Sequence, residues 1–503
     1  MRLLLCLLIL LPAAALAQSV DAIPKPAQVE IKSGFFNFSK GLGVKMNEAD
    51  NESTFIMQYF AHALFKNKRF AVPVSKNDRN IVLKLLPAKA DSATDASYHI
   101  RVSPDSVLIE AHTHRGLHYG CQTAVQLFVN SVLTYQLPAM EINDSPNYAW
   151  RGLEIDVCRH FFSKEVIKQY IDLLSSLKMN VFHWHLTDDQ GWRIEIKKYP
   201  KLTEAGAWRT EKDGTKYGGY YAQDDIREVV NYANERYVTI VPEIELPGHS
   251  SAAISAYPEL SCTPDEPKTV PNRWGIFRDI YCPSDFTFQF IRDVLDEVCE
   301  LFPGKYIHLG GDEAPKTAWK KSEVAQALIK KEGLKNEEEL QHYVLKKMED
   351  YLATKNKTAI GWGEIVRGGL SDSVIVMSWM DKGAGVKAVK QGNRVIMTPR
   401  FFCYFDYPEK ISDKKGAWYM TYLPVRKVYQ FNPAPKTLPV EKQALILGGQ
   451  ANVWTEKIST EQQLYHQTMP RLVAMAEALW SNPLKKDYAD FKRRLKGSGV
   501  FGK

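Results

Sequence analysis

The feature that most constrains this chain is a rhythm that begins at Trp150. From there, short β-rich apolar segments alternate with helical patterns. Eight such segments are legible: Gly152–Val157, Val181–Leu186, Val238–Glu243, Tyr306–Leu309, Thr358–Trp362, Val374–Trp379, Arg394–Thr398 and Ala444–Gly448. The clearest helix is Ser163–Met179, with Ser163 as N-cap and Ile167, Tyr170, Ile171, Leu174 and Leu177 on one face. Gln223–Tyr237, Ser284–Phe302 and Glu337–Asn356 repeat the pattern. Eight βα units over roughly 330 residues predict an α/β architecture, a (β/α)8 barrel with insertions, in preference to an open doubly wound sheet.

Ahead of the barrel the segments are shorter and mixed. Gln28–Lys32, Phe35–Phe38, Asn80–Leu86, Ser97–Val102 and Val107–Ala111 read as strands, the last two as a hairpin turning at Pro104-Asp105-Ser106; Arg115–Val129 reads as a helix. A small α+β domain fits. The expected division is residues 1–17 as a signal peptide, 18–147 as the α+β companion and 148–503 as the barrel. Residues 1–17 carry Arg2, an apolar run from Leu3 to Leu11, and Ala15-Leu16-Ala17 as a cleavage site. The run is short of the ~20 residues that a membrane span needs, and no later segment is long and apolar enough. Export to the periplasm or the medium is expected.

The chain holds 65 Lys and Arg against 58 Asp and Glu, a formal +7, spread without a basic run. That excludes a nucleic-acid footprint. Beyond the signal, the cysteines are 121, 158, 262, 282, 299 and 403, and their spacing matches no zinc pattern. Cys262 and Cys282 flank a polar, Pro-rich stretch, which in an exported protein predicts a loop-closing disulfide. His183-Trp184-His185 lacks the companions of a metal motif, so structural histidines and no metal or cofactor are expected.

Chemistry-bearing residues follow each strand. Arg159 and His160 follow the first, Asp188-Asp189-Gln190-Gly191-Trp192 the second, Glu245 and Gly248-His249 the third, and Gly310-Gly311-Asp312-Glu313 the fourth. Trp362 and Trp379 end the fifth and sixth; Tyr404 and Asp406, then Trp454 and Glu456, follow the seventh and eighth. Barrel active sites sit at this carboxyl-terminal face. Asp312 and Glu313 can face one pocket only if the backbone leaves strand geometry, which the two glycines permit. Arg151 precedes strand one, so it belongs to the opposite end and is expected to be structural.

Arg159-His160-Phe161, His183-Trp184-His185-Leu186-Thr187-Asp188-Asp189-Gln190-Gly191-Trp192-Arg193, Pro242-Glu243-Ile244-Glu245-Leu246-Pro247-Gly248-His249, His308-Leu309-Gly310-Gly311-Asp312-Glu313 and Gly448-Gly449-Gln450-Ala451-Asn452-Val453-Trp454-Thr455-Glu456 together resemble the family 20 glycoside hydrolases, the β-N-acetylhexosaminidases. More loosely, Arg115-Gly116-Leu117-His118-Tyr119-Gly120 resembles the family's companion domain. The resemblance implies exo-hydrolysis of terminal β-linked GlcNAc or GalNAc from glycans. The implied mechanism is retaining, with the substrate's acetamide as nucleophile, an exception to the two-carboxylate scheme. A lacto-N-biosidase-type relative that releases a disaccharide is the alternative.

By the same resemblance Glu313 is the general acid, and it must hold its proton near working pH, which a neighbouring Asp312 carboxylate favours by like-charge repulsion. Asp312 and Tyr404 would orient the acetamide. Asp188 and His249 would support Glu313. Arg159, Asp406 and Glu456 would grip hydroxyls, with Trp362, Trp379 and Trp454 as walls. Glu245 stands where many relatives carry Asp, a departure expected to matter little.

Overall fold

All eight apolar segments form strands, and they close on one another. The structure, a computed structural model, describes residues 20–47, 50–65, 80–87, 95–367, 369, 371, 373–410, 412–413 and 421–501. The expected signal peptide, 1–17, lies outside the described residues. In chain order the strands are Trp150–Asp156, Val181–His185, Thr239–Glu243, Tyr306–His308, Thr358–Trp362, Ile375–Ser378, Val395–Met397 and Ile446–Val453. Each pairs in parallel with the next, and the eighth pairs with the first. Parallel strands covered on both faces need continuous burial, and every residue of strands one and two is buried.

The helix after strand one runs Lys164–Ser176 and buries Val166, Ile167, Tyr170, Ile171 and Leu174, the expected stripe. Ser284 caps Asp285–Leu301 by accepting from the Thr287 N–H. Trp150, Val181, Val241, Ile360, Ile375, Met377 and Ile396 pack together as one apolar cluster. Strand eight runs past its expected end at Gly448. Its polar Gln450 and Asn452 are tolerated because they bond inside the barrel: Gln450 donates to His183 Nδ1 at 3.0 Å and accepts from Trp150 Nε1 at 3.3 Å, and Asn452 donates to Thr398 at 3.3 Å.

Contacts divide the chain into two compact units. One holds the residues up to Asp144 together with those from Arg493 onward; the other is Ser145–Lys492. The expected barrel domain therefore gives up its last residues: Arg493 pairs with Asp21 at 2.7 Å and Gly499 donates to Asn130 at 2.7 Å, both within the first unit. That unit is a six-stranded sheet carrying the helices Asn51–Phe65 and His114–Asn130. Two expected strands merge into one, Gln28–Asn37, whose register shifts between Ile31 and Phe35. Its partner, Gln136–Asp144, contains Pro138. Pro138 pairs with Phe35 at that irregularity, where a missing N–H is tolerated.

Among the described residues, no helix is long and apolar enough to cross a membrane. Cys262 and Cys282 are free thiols in this structure. They lie within hydrogen-bonding reach of each other, which pushes the Cys262 thiol up and Cys282 down to about 7. Cys282 Sγ also lies 3.6 Å from Ser322 Oγ.

Candidate active site

The fourth strand ends at His308, and the chain then turns sharply. Gly310 and Gly311 take φ of 64° and 97°, and Glu313 follows at 41°, left-handed conformations that ordinary side chains avoid. A Cβ on Gly310 would come within 2.0 Å of the Glu245 carboxylate. Three groups pin the turn: Glu245 Oε1 accepts from the Gly311 N–H at 2.9 Å, His308 Nδ1 from the Gly310 N–H at 3.0 Å, and Gln341 donates to the Gly311 carbonyl at 2.7 Å. Neighbours that a strand would send to opposite faces thus reach one nitrogen. His249 Nε2 lies 3.8 Å from Asp312 Oδ2 and 3.6 Å from Glu313 Oε2.

His249 itself has φ of 47°. Strain held at both partners of one contact fits a position that the surrounding structure over-determines. His249 Nδ1 donates to Asp189 Oδ2 at 3.1 Å, with Asp188 Oδ1 at 3.4 Å. Both carboxylates thus face His249 Nδ1, Asp189 at the shorter distance and Asp188 as a longer ion pair. Asp189 also accepts from the Ser251 N–H at 3.0 Å and the Ser251 hydroxyl at 2.5 Å, where the helix Ser251–Ala256 begins. Asp188 Oδ2 is taken by Arg159 Nη2 at 2.9 Å and His185 Nε2 at 2.8 Å.

Burial alone would raise Asp188, but Arg159, His249 and His185 hold it far below the carboxylate range. Burial likewise disfavours a His249 cation, yet Asp188, Asp189 and Glu313 outweigh it, so the ring stays protonated. Asp312 is the carboxyl that burial pushes up, to about 8, with Glu364 and Glu313 adding repulsion and His249 opposing. The Glu313 side chain is 34% exposed against 13% for Asp312.

Strands six to eight supply the opposite wall. Tyr404 follows the short helix Arg400–Cys403, bridges to Asn452, and stacks on Trp379 at 6.0 Å and 14°. Trp379 Nε1 donates to Glu364 at 2.8 Å. The Arg159 guanidinium sits 5.3 Å from the Trp454 ring. All the expected site residues except Trp362 line one cavity, which His185, Glu245 and Tyr407 also line. Trp362 is only 1% exposed and donates to Glu243 Oε1 at 2.7 Å, so it backs the Trp454 ring at 5.9 Å rather than forming a wall.

Asp312 Oδ1, Asp406 Oδ1 and Glu456 Oε2 are buried and have no hydrogen-bond partner among the described residues. Burial raises Asp406, Glu456 and Tyr404 above their ordinary ranges. The cavity therefore offers acceptors, a phenol donor, an arginine and flat aromatic faces, a set that suits a ring carrying several hydroxyls. Glu245, expected to matter little, lies directly under the Gly310-Gly311 turn, with Oε2 unpartnered and its carboxyl pushed up by burial and by Asp312.

One ligand-type cluster among the described residues is His183, Glu243 and His308. Its atoms already face each other, His308 Nδ1 at 2.8 Å and His183 Nε2 at 3.1 Å from Glu243. At the barrel's other end Arg151 donates to the carbonyls of Lys178 at 2.9 Å and Tyr148 at 2.7 Å, the expected structural role.

Residues 148–483 match the catalytic domain of glycosyl hydrolase family 20, and residues 20–145 match domain 2 of that family. A β-hexosaminidase of Porphyromonas gingivalis is 45% identical over 417 residues, 81% of this chain. The chain spans about half, 53%, of that relative's length. A β-hexosaminidase of Vibrio furnissii is 33% identical over 477 residues, 92% of this chain and 76% of its own. Among solved structures, a family 20 exo-β-N-acetylglucosaminidase of Vibrio harveyi in complex with N-acetylglucosamine aligns with TM-score 0.84 at 32% identity, covering 95% of this chain and 76% of that one. A β-N-acetylhexosaminidase of Bacteroides fragilis aligns with TM-score 0.80 at 33% identity, covering 95% and 94%. With both of its units matched in order, the chain belongs to glycoside hydrolase family 20.

Proposed function

We propose that the protein is an exo-acting β-N-acetylhexosaminidase that removes terminal β-linked GlcNAc or GalNAc from glycans with retention, the substrate's own acetamide oxygen attacking the anomeric carbon. One observation carries the reading. A buried acceptor with no partner among the described residues, Asp312 Oδ1, and a buried phenol, Tyr404, both border one cavity. Together they complement the N–H and C=O of a single amide. Glu313, beside Asp312 and within reach of His249, protonates the departing oxygen. As positive charge develops on the acetamide nitrogen, ionised Asp312 balances it, and electrostatic help of this kind is usually the largest catalytic contribution. Arg159, Asp406 and Glu456 hold ring hydroxyls, and Trp379 and Trp454 flank the sugar. The names of the relatives support the substrate class.

The experiment is turnover of aryl glycosides of GlcNAc, GalNAc, glucose and lacto-N-biose, with a cyclic thiazoline as inhibitor. Expected are turnover of the first two, near-inert glucoside, and tight inhibition, because analogues of high-energy states bind far more tightly than substrates. Efficient retaining hydrolysis of the glucoside would point to a protein nucleophile. Preference for lacto-N-biose would select the disaccharide-releasing alternative.

The pattern of residues 1–17 supports export. In an oxidising compartment the neighbouring Cys262 and Cys282 thiols would close a loop of about 20 residues, for which chain entropy gives ~3 kcal/mol. Non-reduced peptide mapping of exported protein tests this, and free thiols at both positions would refute it.

A further inference from the structure

A chain of buried polar groups runs from the barrel interior to the cavity. Glu243, on strand three, lies at its inner end and is fully buried. Its Oε2 accepts from His185 Nδ1 at 2.5 Å. The other nitrogen of the same ring, Nε2, meets Asp188 Oδ2 at 2.8 Å. Asp188 Oδ1 lies 3.4 Å from His249 Nδ1, and His249 Nε2 lies 3.6 Å from Glu313. An imidazole with a carboxylate on each nitrogen donates from both, so it is a cation in this position. It cannot rotate without breaking one of two short charge-assisted bonds.

We propose that His185 is a positioning residue for the proton donor: clamped between Glu243 and Asp188, it fixes the Asp188 carboxylate so that His249 is held against Glu313. The assignment rests on the reading of Glu313 as the general acid. Burial opposes charge on His185, but Glu243 and Asp188 outweigh it and keep the ring protonated. His183 on the same strand lies against Glu243, and Glu154 and Asp156 approach from strand one. The Trp454 ring meets His185 edge-on at 5.0 Å. Glu243 Oε1 accepts from Trp362 Nε1 at 2.7 Å and lies 2.8 Å from His308 Nδ1.

The test compares wild type, His185→Asn, His185→Gln and Glu243→Gln on two N-acetylglucosaminides, one with an activated phenol and one with a simple alcohol as leaving group. Asn places its amide near the position of Nδ1 and loses Asp188; Gln reaches the position of Nε2 and keeps it. His185→Asn is expected to lower kcat on the alcohol substrate by about tenfold or more, as small misplacements of catalytic groups do. The activated substrate should be affected much less, with KM little changed on both. His185→Gln should recover much of the loss. Should His185→Asn fail to fold by thermal melting, Glu243→Gln, which keeps shape and the acceptor for Trp362, decides; it should show the same leaving-group selectivity. Equal losses on both substrates, no loss, or Asn and Gln falling together would overturn the assignment, since a merely structural residue would act in those ways. Wild type inactive on both substrates would instead overturn the reading of Glu313 on which the assignment rests.

Discussion

Arg151 lies at the start of strand one and Arg159 just past its end; both are nearly inaccessible to solvent, and they do opposite jobs. Arg151 spends its guanidinium on main-chain carbonyls at the base of the barrel. Arg159, at the mouth, is surrounded by the Asp156 and Asp188 carboxylates and borders the cavity. At the base, backbone carbonyls take up the buried guanidinium. The mouth buries charges against other charges and leaves Asp312, Asp406 and Glu456 with unpartnered oxygens. Such oxygens are costly in a folded protein, and they are concentrated where a sugar would satisfy them. Substitutions at the mouth should therefore cost activity and spare stability, and those at the base the reverse.

The largest contrast is expected at Glu313. Glu313→Gln keeps the shape and removes the proton donor, so turnover of unactivated glycosides should fall by about 10²–10⁴. Activated aryl glycosides, whose phenolate leaves unaided, should lose less, and the melting temperature should hardly move. Next is Asp312→Asn, with a loss of about 10²–10³ that is similar for all leaving groups, because acetamide orientation is needed for each. Steady-state kinetics across a series of aryl leaving groups separates the two.

The arginines themselves come third. Arg159→Met should lower kcat/KM by about 10- to 100-fold, as loss of a charged hydrogen bond does. Arg151→Met should leave KM unchanged and remove about 1–3 kcal/mol of stability by orphaning buried carbonyls. Equal behaviour of the two in paired melting and kinetic experiments would erase the distinction between the barrel's ends.

The smallest effect concerns pH. Burial and then Glu364 and Glu313 push the Asp312 carboxyl up, to about 8. The ionised form orients the acetamide, so Asp312 sets an acidic limb in kcat/KM. Glu364→Gln removes a repelling charge and makes ionisation easier, so that limb should move to lower pH. A limb that stays in place or rises would detach it from Asp312.

The strands of the barrel and most of its mouth were legible in the sequence because both rest on local signals. Apolar β-rich segments recur with helices between them, and polar residues cluster where those segments end. What escaped was non-local. Nothing in Asp188-Asp189 shows which carboxylate turns toward His249; the Ser251 bonds that aim Asp189 come from another loop. His183 and His185 share a face of strand two, yet what they meet depends on Glu243 of strand three. Glu364 and Tyr407 gave no motif, and Trp362 reads as a wall until its indole is seen to be tied to Glu243. The helix Asn51–Phe65 was missed because its apolar and polar residues mingle, with only Ser53, Ile56, Phe60 and Leu64 fully buried.

The division of labour between Asp312 and Glu313 has meaning only if the substrate's acetamide is the nucleophile. A series of aryl N-acyl glucosaminides carrying acetyl, fluoroacetyl, difluoroacetyl and trifluoroacetyl groups tests this directly in the wild-type enzyme. Each fluorine makes the carbonyl oxygen a poorer nucleophile and leaves the leaving group untouched. A steep, progressive fall in kcat/KM along the series is expected. A flat series would contradict acetamide participation and transfer the nucleophile's role to a side chain of the protein.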